Sequence, residues 1–256
     1  MRIRTILVAA VALCALATTS PAQISYPRFD PINDLRPIGA VMITGGAAAM
    51  TYGGAMQTAA LWSGTREDVA GGFTTTFAFR VGGQVGGILH PDRTRGADGF
   101  AFVIHNSSPD AIGGTGHCLG YEGITNSVAV EFDTWRNPDC GDPNGNHVSV
   151  QTRGLLFNSA HHAYSLGLTA DIPDLSDGET HVATITYTPG VMTVTVDDAP
   201  PLVAPIDLPS TLNLDNGRAW VGFTSATGRA WEQHDILSWT FGHDPAAPGG
   251  ARRSLR

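Results

Sequence analysis

Glu131 and Asp133 stand two residues apart in the apolar run "SVAVEFDTW" that begins at Ser127. Side chains two apart on a strand share a face, so these carboxylates are neighbours while Val130 and Phe132 point the other way. Like charges side by side repel, and burying them without a partner is costly. Something positive must lie between them. Arg136 carries the only guanidinium from Ala129 to Val150, and it can pair with one carboxylate. The residues that follow are oxygen donors and one imidazole: Asn137, Asp139, Asp142, Asn144, Asn146 and His147. Pro138, Gly141, Pro143 and Gly145 fold this segment into a tight loop. Carboxylate, amide and backbone carbonyl oxygens suit Ca²⁺. Carboxylates with one His suit a transition ion such as Mn²⁺.

Two other chemistries fit less well. The segment "DPNGNH" begins like an EF-hand, but His147 stands where that loop needs Gly, and Arg153 stands where it needs Glu. Jelly-roll glycoside hydrolases of the laminarinase type carry E-x-D-x-x-E on a strand, whereas here Arg136 takes the place of the second Glu. Retaining hydrolysis needs two carboxylates across the scissile bond, and that pair is not spelled out. Asp139, Asn144 and Asn146 read as turn formers. His161 and His162 in "SAHHAYS" read as ordinary loop residues, with adventitious metal binding as the alternative.

The elements that must position these groups are strands. "GGFTTTFAFRV" alternates Phe73, Thr75, Phe77 and Phe79 against Thr74, Thr76 and Ala78. "FAFVIH" from Phe100 is a second apolar run, and "VATITYTPGVMTVTV" reads as a hairpin about Pro189-Gly190. "DILSWTF" sets Ile236, Ser238 and Thr240 against Leu237, Trp239 and Phe241. No segment has a sustained helical period. Many short strands, with 31 Gly and 16 Pro for turns, predict an all-β, two-sheet sandwich or jelly roll in a single domain.

The chain has 256 residues, 42% of them hydrophobic, and no Lys. Arg2 and Arg4 precede "ILVAAVALCALA" and the small-residue stretch "TTSPA", the layout of a signal peptide over residues 1–22. The run is too short to span a bilayer comfortably, so membrane insertion is not expected. The expected domain covers residues 23–242, and the Pro/Gly-rich then basic residues 243–256 read as a disordered tail. Removing Arg2 and Arg4 from the 15 basic residues leaves 13 against 23 acidic, a net charge of −10. So acidic a surface argues against nucleic acid as a partner. Export to the periplasm or medium leaves Cys118 and Cys140, and two cysteines in an oxidising compartment predict one disulfide, with two free, buried thiols as the alternative.

"VAVEFDTWRNPDCGDPNGNH" resembles the metal loop of the legume-type (L-type) lectins, whose pattern is E-x-D-x-[aromatic]-x-N-x₄-D-x₄-H. The chain is similar to a secreted, bacterial member of that family, with its concanavalin-like jelly roll of two antiparallel sheets. The resemblance implies that Glu131, Asp133, Asp142 and His147 ligate Mn²⁺ or another transition metal. It implies that Asp133, Asp142, Asn137 and the Trp135 carbonyl ligate Ca²⁺, so the carboxylates are held together by cations. "GADGFAFVI" resembles the strand whose Asp, here Asp98, binds two sugar hydroxyls after a cis Ala–Asp peptide. "GGTGHCLGYEGI" resembles the Gly-rich sugar loop, with Gly116 or His117 donating a backbone N–H. "VGFTSATGRAWEQHDILSWTF" resembles the closing strand, with Gly228, Arg229 and Ala230 in a loop of further donors.

The implied function is non-catalytic glycan binding through Asp98, Gly116, Asn137 and Arg229, disabled by metal loss. Tyr121, Trp135 and Trp231 are the aromatic candidates to stack on a sugar, and the sheet faces are where copies could pair. A glycoside hydrolase and a lectin-fold adhesion module without sugar are the alternatives. A Cys118–Cys140 bond departs from the plant pattern. It would tie the sugar loop to the metal loop, closing about 22 residues for about 3 kcal/mol.

Overall fold

The computed structural model describes residues 23–88 and 96–243. The expected leader, residues 1–22, and the tail beyond His243 lie outside the described residues. The strands are β1 Ile24–Tyr26, β2 Leu35–Gly39, β3 Met42–Thr44, β4 Ala47–Tyr52, β5 Thr58–Ser63, β6 Glu67–Asp68, β7 Phe73–Gly86 and β8 Gly99–His105. They continue as β9 Ser127–Asp133, β10 His147–Thr152, β11 Ser165–Thr169, β12 His181–Thr188, β13 Gly190–Val196, β14 Leu202–Ile206, β15 Arg218–Ala226 and β16 Trp231–His243. Helix is confined to α1, Leu208–Thr211, and three 3-10 turns among the described residues.

Two antiparallel sheets pack face to face. One runs β14-β13-β12-β7-β16-β4-β3, with β1 also on β16. The other runs β11-β10-β9-β8-β15-β5-β2, with β6 also on β15. Because the period-2 pattern puts alternate residues on one face, Phe73, Phe77 and Phe79 of β7 share the core, where Phe77 and Phe79 meet Phe100, Phe102, Phe132 and Phe223 of the facing sheet. Phe100 and Phe132 are cross-strand partners with ring centroids 4.7 Å apart and planes 1° from parallel. Burying each such ring contributes about 1.5–3 kcal/mol. The expected hairpin forms, with Thr188 opposite Val191 across Pro189-Gly190.

Two sequence readings are corrected. The ladder slips between Ile236 and Ser238, so Leu237 is the extra residue of a bulge. Ile236 therefore shares the core with Trp239 and Phe241, a grouping strict alternation forbids. The last strand also reaches His243, one residue past the expected end of the domain; its Nδ1 lies 2.8 Å from the Gly72 carbonyl.

The outer face of β8 and β9 carries small residues, Ala101, Val103 and Ala129, which leave room for Leu119, Tyr121 and Ile124 of the preceding loop. This second, smaller core lays the loop over the sheet. The carboxylates of β9 end up between sheet and loop, with every residue of β9 buried.

Candidate metal and ligand site

Strands β8, β9 and β10 set the positions. Glu131 pairs with Ala101 on one side and Ser149 on the other, and Asp133 pairs with Gly99 and His147. Gly99 has φ +126°, and a Cβ there would lie 2.2 Å from the Phe132 carbonyl oxygen, so only glycine lets Asp98 start a strand this close to Asp133. The Asp98 carbonyl accepts from Thr134 N–H at 3.0 Å, which joins the two segments directly. The peptide between Ala97 and Asp98 is cis, as the resemblance implies.

Glu131, Asp133, Asp142 and His147 are all buried and lie together. The Glu131 carboxylate accepts from Tyr121 Oη at 2.5 Å, Ser149 Oγ at 2.6 Å and Gln151 Nε2 at 3.0 Å. Burial pushes its pKa up, but the hydrogen bonds and the charges of His162 and His147 outweigh that and hold it below the usual range. Asp133 is pushed well above its ordinary value by burial, then by Asp142 and Glu131. Burial raises Asp142 to about 6, against the hydrogen bond from Asn137 N–H. Arg136, the expected counter-ion, is exposed and acts on Asp142 only as a minor charge.

His147 Nδ1 lies 3.1 Å from the Asn144 carbonyl, which can only accept. The proton is therefore on Nδ1, and Nε2 turns its lone pair inward. Burial lowers its pKa to about 4, so the ring is neutral, the form a metal requires. Asn137 Oδ1 is buried with no hydrogen-bond partner, while its N–H is spent on Asp142. Two carboxylates with raised pKa, an unspent amide oxygen and an inward imidazole lone pair form a donor set short of positive charge. The residues present fit a cation.

Asp98 lies beside this cluster. Burial raises its pKa to about 7, opposed by a hydrogen bond from the Gly228 backbone and reinforced by Glu232 and Asp142. Its Oδ2 is buried without a hydrogen-bond partner. A Cβ on Gly228 would sit 3.2 Å from Oδ2 and 3.5 Å from the Gly116 Cα, so Asp98, Gly116 and Gly228 converge. Of the two residues open in the sugar loop, Gly116 faces Asp98, while His117 is exposed with Nε2 3.6 Å from Cys118 Sγ. In the closing loop Gly228 rather than Arg229 lies against Asp98. The Arg229 side chain is exposed, and its carbonyl abuts Gly87.

Two of the aromatic candidates, Tyr121 and Trp135, turn inward, while Trp231 is half-buried. Trp135 packs with Ala97 and Ala230, linking the metal loop to both neighbouring segments. Tyr121 is fully buried and spends its hydroxyl on Glu131. The Trp231 ring lies over Gly86, where a Cβ would be 2.3 Å from the ring. Asn144 and Asn146 serve loop geometry, bonding Asn146 N–H, the Pro173 carbonyl and Leu175 N–H.

The expected disulfide is not formed: Cys118 and Cys140 are free thiols. Cys118 Sγ is turned to His117 and Glu122 Oε1, the latter at 3.7 Å. Burial pushes both thiols up to about 12, aided by Glu122 for Cys118 and by Asp142 for Cys140.

Two residues of the site escaped the sequence reading. Glu232 is fully buried, accepts from Thr134 Oγ1 at 2.5 Å and gives its N–H to the Ala97 carbonyl at 3.1 Å. An acid inside the apolar closing strand was the available signal. His162, read as a loop residue with at most adventitious metal binding, places Nε2 3.0 Å from His147 Nε2 and 3.3 Å from Glu131 Oε1. Its spacing from the metal loop follows no pattern, and only the fold brings it there.

Comparison with known proteins follows the same lines. The family model for the legume lectin beta-barrel domain matches residues 40–238. A probable L-type lectin-domain containing receptor kinase, S.7, of Arabidopsis thaliana is 34% identical over 186 residues, 66% of this chain and 26% of the kinase. The chain thus spans about a quarter of that relative's length. A lectin of Leucomphalos mildbraedii is 27% identical over 204 residues, covering 75% of this chain and 77% of the lectin. Among solved structures, the VIP36 exoplasmic/lumenal domain in its Ca²⁺/Man3GlcNAc-bound form superposes with a TM-score of 0.71 at 15% identity, over 90% of this chain and 92% of that one.

Proposed function

The chain belongs to the L-type lectin family, and on that premise we propose that Asp98, Gly116, Asn137 and the Gly228–Ala230 loop seat a glycan on a site shaped by cations. The protein is a carbohydrate-binding lectin without catalysis; the relatives it matches are lectins and lectin-domain receptor kinases. The observation that carries the site assignment is the Asp98 carboxylate. It is buried with one oxygen unspent, and the main chains of Gly116 and Gly228 close on it. A carboxylate beside backbone N–H donors suits paired sugar hydroxyls, which both give and accept hydrogen bonds.

Ca²⁺ is assigned to Asp133, Asp142, Asn137 and the Trp135 carbonyl, and Mn²⁺ or another transition ion to Glu131, Asp133, Asp142 and His147. When bound, the cations supply the positive charge that Asp133 and Asp142 lack. Thr134 then holds the Asp98 main chain, and Trp135 braces Ala97 and Ala230. Asn137 turns its amide oxygen to Ca²⁺ and its NH₂ to the sugar. The VIP36 domain is one relative in fold whose solved form holds Ca²⁺ with a mannose-containing glycan. The reading includes export, with residues 1–22 removed from a secreted or periplasmic bacterial protein that starts at Gln23 and pairs through its sheet faces. N-terminal sequencing of exported protein that begins at Met1 would contradict it.

The test is a glycan array probed with residues 23–256, with and without chelator. Selective binding that chelation removes and Ca²⁺ plus Mn²⁺ restores is the expected result. Folded, metal-supplied protein that binds no glycan sinks the reading and leaves the adhesion module.

A further inference from the structure

Resting on the metal-dependent reading above, we propose that His162 is a direct ligand of the transition ion, beside Glu131, Asp133, Asp142 and His147. His162 opens the 3-10 turn His162–Tyr164 that leads into β11. Its Nε2 lies 3.0 Å from His147 Nε2, 3.3 Å from Glu131 Oε1 and 3.5 Å from Asp142 Oδ1. His147 Nε2 is itself 3.8 Å from Glu131 Oε1. The side chains are closed to solvent: 8% exposed for His162, 3% for Asp142, 1% for Glu131 and 0% for His147.

Three donor atoms, from β9, β10 and the 3-10 turn, therefore lie within 3.8 Å of one another, and His162 Nε2 also approaches Asp142 Oδ1 of the second donor group, which shares His147. A hydrogen-bond account is incomplete: Glu131 Oε1 already accepts from Ser149 Oγ and Gln151 Nε2, and a single N–H on His162 Nε2 still faces that oxygen, the His147 lone pair and Asp142 Oδ1. A cation serves all of them at once. With metal–ligand bonds of about 2.1 Å, neighbouring donors stand roughly 3.0 Å apart at a right angle and 3.4 Å apart at a tetrahedral angle. The observed spacings of 3.0, 3.3, 3.5 and 3.8 Å bracket that range. The metal loop packs against His162: a Cβ on Gly141, which has φ +81°, would make ordinary van der Waals contact with the His162 Cβ at 3.6 Å.

Two imidazoles change what the site prefers. An all-oxygen set with one His accepts Mn²⁺, whereas a second nitrogen moves preference toward Co²⁺, Ni²⁺ and Zn²⁺. The ion then also pins the turn at 162–164 to the loop at 137–147.

The experiment is equilibrium metal binding by full mature chain, with Zn²⁺, Co²⁺, Mn²⁺ and Ca²⁺ each added alone. Wild type, His162→Ala and Asp133→Asn are compared in a Cys118→Ser background, which removes the His117–Cys118–Glu122 group as a competing ligand. The His162→Ala protein is expected to keep its circular dichroism spectrum and Ca²⁺ binding. It should lose Zn²⁺ and Co²⁺ affinity roughly tenfold or more, and Mn²⁺ affinity less. Electron paramagnetic resonance of the Cu²⁺-loaded protein should show two imidazole nitrogens in wild type and one in the variant, a change a merely structural role would not produce. If the Ala variant does not fold, His162→Gln carries the same comparison. Unchanged affinity and nitrogen count overturn the assignment of His162 while leaving the metal site standing. No transition-ion binding by wild type removes both that assignment and the metal-dependent reading.

Discussion

Asp98 and Asp133 are both buried acids, yet they answer to different demands. Asp98 keeps an unspent oxygen toward the converging glycine backbones, so its loss removes a binding contact. Asp133 sits between Asp142, Glu131 and His147, so its loss dismantles a donor set. Asp98→Ala is expected to abolish glycan retention on an affinity column and leave Tm within a few degrees, whereas Asp133→Ala lowers both. Equal loss of Tm would count against this division. His105 is a cleaner pH probe, far from the cluster. Wedged between Trp62 and Trp220, it is held at a pKa of about 3 by burial and then by Arg66, below the unfolded 6.5. A depressed imidazole adds stability that is complete above pH 6.5 and is lost as pH falls through about 3. His105→Phe should flatten that part of the stability curve by a few kcal/mol, read as the pH dependence of the urea midpoint.

At the scale of elements, β9 does two jobs with its two faces. Phe132 stacks on Phe100 and meets Phe77 and Phe79 in the main core, while Glu131 and Asp133 emerge on the other side. The inward face thereby holds the outward carboxylates in register with Ser149 and His147. Phe132→Ala should cost about 3–5 kcal/mol of stability, measured by denaturant unfolding. It should also weaken metal binding, although Phe132 touches no ion. A variant that loses stability with intact metal affinity would show that β10 and the loop hold the cluster unaided.

Across the whole molecule, the acids gathered between sheet and loop make stability depend on what neutralises them. Asp98 is raised from 3.8 to about 7 and Asp142 from 3.8 to about 6, chiefly by burial. For raised carboxyls the contribution is intact below about pH 4 and is lost as pH rises through 6 to 7. Bound cations replace the missing proton. The drop in Tm on chelation should therefore be small at pH 4 and grow toward pH 7. A drop independent of pH would mean that the Asp142 carboxylate does not face the ions. The thiols of Cys118 and Cys140 are a second global check: both should react after denaturation, and slowly before it, since burial pushes both up to about 12. Among the described residues no helix is long and apolar enough to cross a membrane.

The two-sheet architecture was legible in residues such as Phe73, Phe77 and Phe79, because strand geometry repeats every two residues and apolar side chains must share a face. The carboxylates of β9 and the loop to His147 were legible for the same reason: their geometry is local, set by strand period and by turns at Pro and Gly. What depends on separation in space was not. The bulge at Leu237 reverses alternation because the ladder to β7 slips there. Gly116 and Gly228 meet Asp98 from loops 18 and 130 residues away in the chain. Cys118 turns to Glu122 instead of Cys140, Tyr121 and Trp135 face the interior, and the half-buried Trp231 lies over Gly86. His162 reaches the carboxylates only because the sheet brings the turn before β11 over β9 and β10. Sequence by itself determined the donors and the strands that carry them; tertiary packing decided which donors share one point, since convergence is a property of distance and not of spacing along the chain.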